Sequence, residues 1–283
     1  MISENKYHEI KNYIIKIGKI ASGHFNSGDT TNQLKTDLTV VTKVDKEIET
    51  KLIQYIHKNF PNDAIIGEEF GNKSGKSEFV WHIDPIDGTD NFLRKIPFFA
   101  ISVARLGDNL KNSFGIVHNP ITNQTFSTFN ETPGNVYEND RLCTLTADPL
   151  GGKYIIIISG GHSEPWMKPA KYALMESIGL KYGRGGSYNC VSLELAYIAA
   201  NRIDANLSFG LKSYDYAAGF FLIKATGGAI SIFENGKWKL WTSSLKELCS
   251  KDRITFTSHQ DIHQDILEFI GDPTLWAKNK KND

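Results

Sequence analysis

The stretch Asp84-Pro85-Ile86-Asp87-Gly88-Thr89-Asp90-Asn91-Phe92 concentrates three carboxylates around one turn, directly after the apolar, strand-like run Phe79 to Ile83. Proline at the second position fixes φ and discourages helix, and Gly88 permits a turn with close backbone approach. Asp84 and Asp87 can then converge while Gly88 and Thr89 aim N–H groups outward. Hard oxygen ligands beside exposed amides suit Mg²⁺ and phosphate together. The same residue types also make ordinary surface turns, so this stretch alone leaves both readings open. An EF-hand is excluded, because that loop needs ligands at alternate positions, whereas Asp84 and Asp87 are three apart with proline between them.

Working outward, Ile65-Ile66-Gly67-Glu68-Glu69 ends a short apolar run with two carboxylates, and Glu68 stands where it could share a cation with Asp84. Glu69 reads as a solvated surface carboxylate. In Lys35 to Asp45, the last residue comes just before an amphipathic segment whose Ile48, Leu52, Tyr55 and Ile56 recur at helical spacing. Asp45 is therefore either a functional carboxylate or the N-cap of that helix. Asp215, in Ser213 to Gly219, opens another apolar helix and carries the same two readings.

Together these four segments resemble the inositol monophosphatase family, within the Mg²⁺-dependent, lithium-sensitive phosphatases that include fructose-1,6-bisphosphatases and the phosphatases of phosphoadenosine phosphate. The resemblance runs from Lys35 to Gly228 and takes in Gly115 to Pro120 and Leu195 to Asp204. It implies a layered α-β-α-β-α sandwich of mixed α+β and α/β class, and a site with two to three Mg²⁺ ions. Glu68, Asp84 and the carbonyl of Ile86 would hold one ion, and Asp84, Asp87 and Asp215 a second. A third, looser ion would lie near Glu68. Thr89 and Asp45 would orient the metal-activated water, and the amides of Gly88 and Thr89 would receive phosphate oxygens, with Asp87 beside them. Relatives are commonly homodimers, so a homodimer is expected.

Departures from the family pattern bear on substrate. Inositol-preferring relatives carry a glutamate seven residues before the last metal aspartate; here Ser208 stands there as the candidate substrate contact. The Gly-Ser pair ahead of the Leu195 helix is replaced by Asn189-Cys190, and the tryptophan before the metal aspartate by Tyr214. Asp90 adds a negative charge that either repels a second phosphate or caps a helix. The substrate class implied is a small polyol or sugar phosphate. A 3'(2'),5'-bisphosphate nucleotide or fructose 1,6-bisphosphate is the alternative, with Lys212 and Arg184 as candidate contacts to a second anion. From a different class comes a regulatory binding protein.

The 283 residues suffice for one large or two modest cores, and 32 basic against 32 acidic residues leave no field that favours nucleic acid or an anionic membrane. Lys278, Lys280 and Lys281 read as a solvated tail. Three widely spaced cysteines without a C-x-x-C pair fit reduced thiols, and no run of about eighteen apolar residues occurs, so a soluble cytoplasmic protein is expected. The pattern predicts an α+β domain over 1–147, with a helical pair on a largely antiparallel sheet. It changes near Ala147 to Gly152 to an α/β domain over 148–283, where Tyr154 to Ile158 reads as a buried strand with a crossover helix after it.

Overall fold

The computed structural model describes residues 2–27, 32–34, 40–130, 135–143, 153–160 and 164–277. Lys35 to Thr39, the change of pattern at Ala147 to Gly152 and the tail lysines lie outside the described residues. The first half runs α1 (Glu4–Ser27), β1 (Asn32–Leu34), β2 (Val40–Thr42), α2 (Lys43–Asn59), β3 (Ala64–Gly67), β4 (Gly71–Lys73) and β5 (Val80–Asp87). It continues with α3 (Thr89–Leu93), β6 (Ala100–Leu106), β7 (Phe114–Asn119), β8 (Gln124–Phe129), β9 (Tyr137–Glu138) and β10 (Arg141–Leu142). The second half holds β11 (Tyr154–Gly160), α4 (Met167–Tyr182), β12 (Gly183–Gly186), α5 (Val191–Ala199), β13 (Ala205–Leu211) and α6 (Ser213–Ala225). After it come β14 (Ala229–Glu234), β15 (Lys237–Leu240), α7 (Leu245–Leu248), β16 (Arg253–Ser258) and α8 (Gln260–Ile270).

Apart from the small β1–β2 pair, two sheets organise these elements. The first has the order β10-β9-β8-β7-β6-β5-β3-β4 and is antiparallel except where β3 runs parallel to β5. The second has the order β12-β11-β13-β16-β14-β15. Only β11 pairs in parallel, with β12 and β13, as the crossover helix requires; the remaining pairs are antiparallel.

Periodicity explains how the layers stack. Ile10, Ile14, Ile17 and Ala21 of α1 share a buried core with Ile48, Leu52 and Ile56 of α2 and with Trp81, Ile83 and Phe114 of the first sheet. The opposite face of that sheet meets α5 and α6, which on the side of the second sheet meet β13 and β14 respectively. α6 has almost no polar face because it lies between two sheets: Tyr216, Ala217, Ala218 and Phe220 to Ile223 are all buried. The far face of the second sheet is covered by α4 and α8. The result is the expected layering of helix, sheet, helix, sheet, helix.

The start of α6 thus belongs to the second half of the chain but rests on the first sheet. The approach is close: a Cβ on Gly115 of β7 would come within 2.6 Å of the Ala218 carbonyl oxygen. Gly115→Ala should push α6 away from the sheet, costing about 1–3 kcal/mol. Thermal denaturation should then show a midpoint lower by several degrees, on the order of 2–4 °C per kcal/mol. A midpoint equal to that of the wild type would mean that α6 is not held against β7.

Candidate active site

In a regular strand Asp84 and Asp87, three residues apart, would point to opposite faces. β5 avoids this with a bulge, since Asp84 pairs with Ser102 and Asp87 with Ala100, leaving one extra residue on the β5 side. Pro85 supplies the cause, because it has no N–H to give to the ladder. Asp84 Oδ1 accepts from the Ile86 N–H at 3.1 Å and fixes the bend. Gly88 follows at φ 89°, and a Cβ there would meet the Asn189 carbonyl oxygen at 3.0 Å and Cys190 Cβ at 3.2 Å. Thr89 opens α3 and donates its hydroxyl to the Ile86 carbonyl at 3.1 Å.

Asp45 is not the N-cap of α2 and does not precede it. Thr42 caps the helix, and Asp45, at the third helical position, closes a capping box by accepting from the Thr42 N–H at 3.0 Å. Its Oδ2 also takes the Thr42 hydroxyl, while Oδ1 is buried without a hydrogen-bond partner. Oxygens of Asp45, Glu68 and Glu69 lie within 4.8 Å of one another. Glu69 is therefore part of the acidic cluster and only partly exposed, which corrects its reading as a surface carboxylate. Its position has a cause one turn along α2. The buried carboxylate of Glu49 accepts from the Glu69 N–H at 2.8 Å and the Phe70 N–H at 3.0 Å, in space that only a glycine at position 67 leaves open.

The last carboxylate comes from the other half of the chain. Asp215 occupies the first turn of α6 and accepts from the Lys212 N–H at 2.8 Å. Asp87 receives the Ser192 N–H and the Cys190 thiol on Oδ2, so the start of α5 is latched to the end of β5. Asn91 adds a second latch by donating to the carbonyls of Phe98 and Tyr188. Burial pushes Asp84 well above the usual carboxylate range, and the charges of Glu68, Asp87 and Asp215 push it further. Asp215 is raised by burial and then by Asp87 and Glu68; Asp87 is raised by burial against the opposing pull of Ser192 and Cys190. Burial raises Asp45 to about 7, with Glu68 and Glu69 adding to it. Glu68 is thus the charge common to both groups.

Residues 4–268 match the model of the inositol monophosphatase family. The chain belongs to that family. The "Nus factor SuhB" of Haemophilus influenzae is 32% identical over 226 residues, covering 78% of this chain and 82% of that protein. The protein of the same name from Escherichia coli K12 is 31% identical over 237 residues, covering 81% and 86%. Among solved structures, the Thermotoga maritima IMPase superposes with a TM-score of 0.79 at 23% identity, over 98% of this chain and 99% of that one. Inositol monophosphatase II from Staphylococcus aureus gives 0.74 at 22%, over 97% and 96%. At these identities the structures establish the shared fold.

Within this family member, the residues present fit a divalent cation. The donors are hard carboxylate oxygens beside a backbone carbonyl, one buried oxygen of Asp45 has no partner, and the carboxylates raise one another's pKa by repulsion that a cation would relieve. The Thr89 hydroxyl is donated to the Ile86 carbonyl, and Asp45 Oδ2 accepts from Thr42. Expectations about substrate contacts change. Ser208 is no open substrate contact: it is 1% exposed and its hydroxyl is donated to Asn206, which in turn bonds Ser159 and the buried carboxylate of Glu194. The Lys212 ammonium is paired with Asp252, and Arg184 is exposed on β12, an edge strand. Sequence reading missed Glu49, whose signal was a charge one turn after Asp45 on an otherwise apolar helix face.

Repulsion among these carboxylates is a cost to the cation-free fold. At about pH 8 the unfolded chain has all of them ionised, whereas the folded site must either crowd the charges or hold protons against the solvent. Asp84→Asn keeps an oxygen for the Ile86 N–H and removes one charge. In chelator, near that pH, this variant should be more stable than the wild type by at least about 1 kcal/mol, a rise of about 2–4 °C in Tm. A lower Tm would contradict the electrostatic account.

Proposed function

We propose that this chain is a Mg²⁺-dependent phosphomonoesterase acting on a small polyol or sugar phosphate. The observation that supports this best is the meeting of Glu68, Asp84, Asp87 and Asp215, from β3's end, β5 and α6, beside the turn at Gly88 that opens α3. Bound Mg²⁺ would neutralise the phosphate dianion, acidify water and stabilise the departing alkoxide. Glu68, Asp84 and the Ile86 carbonyl would hold one ion, and Asp84, Asp87 and Asp215 another. The amides of Gly88 and Thr89 are suited to phosphate oxygens, and the positive φ of Gly88 is what turns them outward. Thr89 is placed to orient the attacking water, with its hydroxyl already held by Ile86. Asp45, through its free Oδ1, is suited to accept a proton near Glu68.

With Ser208 turned inward, no carboxylate at that position offers charge-assisted bonds to ring hydroxyls, so strong selection for inositol monophosphate is not expected. With Lys212 paired to Asp252, a second phosphate has one basic contact fewer, which favours monoesters over bisphosphates. The protein is proposed to work in the cytoplasm as a homodimer; among the described residues no helix is long and apolar enough to cross a membrane.

A second reading rests on the relatives carrying the name Nus factor at 31–32% identity. A Nus-factor role would survive loss of phosphate hydrolysis, whereas the phosphatase role would not. The deciding experiment is phosphate release from inositol 1-phosphate, glycerol 2-phosphate, fructose 1,6-bisphosphate and phosphoadenosine phosphate, with Mg²⁺ and with chelator. Release should depend on Mg²⁺, and Asp87→Asn should lower kcat by roughly three or more orders of magnitude, the several kcal/mol that a lost metal contact costs a transition state. Activity within about tenfold of the wild type at saturating Mg²⁺ would remove Asp87 from the assignment.

Linkage sets the pH dependence. A carboxyl whose folded pKa is raised favours the folded state at low pH and loses that contribution as pH rises through the folded value, here about 7 for Asp45. Mg²⁺ competes with those protons, so its effect runs the other way. The rise in Tm on adding excess Mg²⁺ should be small near about pH 6 and grow through about pH 8, approaching the stabilisation of about 2.7 kcal/mol expected at a hundredfold excess over Kd. An increment that shrinks with pH would reverse the sign and sink the metal assignment.

A further inference from the structure

His82 lies two residues before Asp84 on β5, and Ser213 two residues before Asp215 at the start of α6. Successive residues alternate across a strand, so His82 and Asp84 share a face. His82 Nδ1 and Ser213 Oγ are 2.9 Å apart, inside the protein, across a sequence separation of 131 residues. The ring is 2% exposed, and its Nε2 has no hydrogen-bond partner. An idle buried polar atom lowers a fold's stability, so an apolar side chain at position 82 would serve packing better. Among the described residues, the hydrogen bond to Ser213 is the only one the ring makes, and it is also the only one that joins β5 to α6. The neighbouring polar tie, Ser102 Oγ to the Tyr214 carbonyl, is long at 3.5 Å.

We propose that His82 and Ser213 form a positioning pair that sets the spacing between the strand carrying Asp84 and the helix start carrying Asp215, and so determines how tightly those carboxylates bind a shared divalent cation. The inference rests on the reading of this site as a Mg²⁺ site. Mg²⁺ demands near-octahedral coordination at short distances, which leaves little tolerance for drift between two ligands on separate elements. α6 packs against the first sheet through apolar contacts, which are non-directional, and a directional bond at its first turn adds a constraint on where that turn sits relative to β5. Neither residue touches the phosphate or the reacting water; both act through the ligands two residues on.

The test measures Mg²⁺ affinity by titration calorimetry, with kcat at saturating Mg²⁺ as a second readout. Ser213→Ala and His82→Leu should each weaken Mg²⁺ binding by about 10- to 100-fold, the usual effect of removing a group that orients a metal ligand. Excess Mg²⁺ should restore most of kcat. His82→Asn, whose amide can take the place of Nδ1, should bind within a few-fold of the wild type, and the double variant His82→Leu with Ser213→Ala should be no weaker than the weaker single variant. Should His82→Leu fail to fold, Ser213→Ala and His82→Asn still decide the matter. If the wild type binds Mg²⁺ and Ser213→Ala binds it equally well, the positioning pair is refuted and the phosphatase reading stands. A wild type that binds no Mg²⁺ and releases no phosphate overturns that reading and this inference with it.

Discussion

Like charge crowded into a partly desolvated corner is the constraint on which the rest of this structure depends. After burial, the charges of Glu68, Asp87 and Asp215 raise the pKa of Asp84, those of Asp87 and Glu68 raise Asp215, and those of Glu68 and Glu69 raise Asp45. Left to themselves such groups would separate or take up protons. They stay together because each sits on an element that the cores hold in place for other reasons, so hydrophobic burial on both faces of the first sheet opposes the electrostatic cost at the end of β5. A site under this tension is predisposed to accept cations, since binding relieves what folding imposed.

The devices that aim the carboxylates are small and local. A proline removes one ladder hydrogen bond and creates the bulge that puts Asp84 and Asp87 on one side. A capping box turns one oxygen of Asp45 to Thr42 and leaves the other unpartnered toward Glu68 and Glu69. Glu49, buried under the loop, holds the backbone of Glu69 and Phe70. The amide of Ser192 and the thiol of Cys190 hold Oδ2 of Asp87 and so tie the start of α5 to the end of β5. Burial raises the thiol well above its usual pKa, so Cys190 remains a neutral donor beside a carboxylate.

The polar chain from Glu194 through Ser159 and Asn206 to Ser208 is internally satisfied, so Ser208 is part of the scaffold between α5 and the second sheet. Family membership therefore carries the reaction type further than it carries the substrate. Relatives named Nus factor align with 78–81% of this chain, and solved structures named as inositol monophosphatases share its fold over 97–98%.

Much of this was legible before any coordinates. The turn at Asp84 to Thr89, the apolar face of α2 and the order of the acidic segments are written in local chemistry, because turn residues and side-chain periodicity act over a few neighbours. Tertiary structure alone decided which polar groups meet. That Glu69 joins the acidic cluster depends on the buried Glu49 of α2, and that Ser208 turns inward and His82 finds Ser213 across 131 residues depends on how α5 and α6 settle between two sheets. Their apolar sequences specify that they are buried. The rotation and depth at which they are buried follow from shape, such as the gap that Gly115 leaves for the Ala218 carbonyl, and shape of that kind has no signature in a single segment.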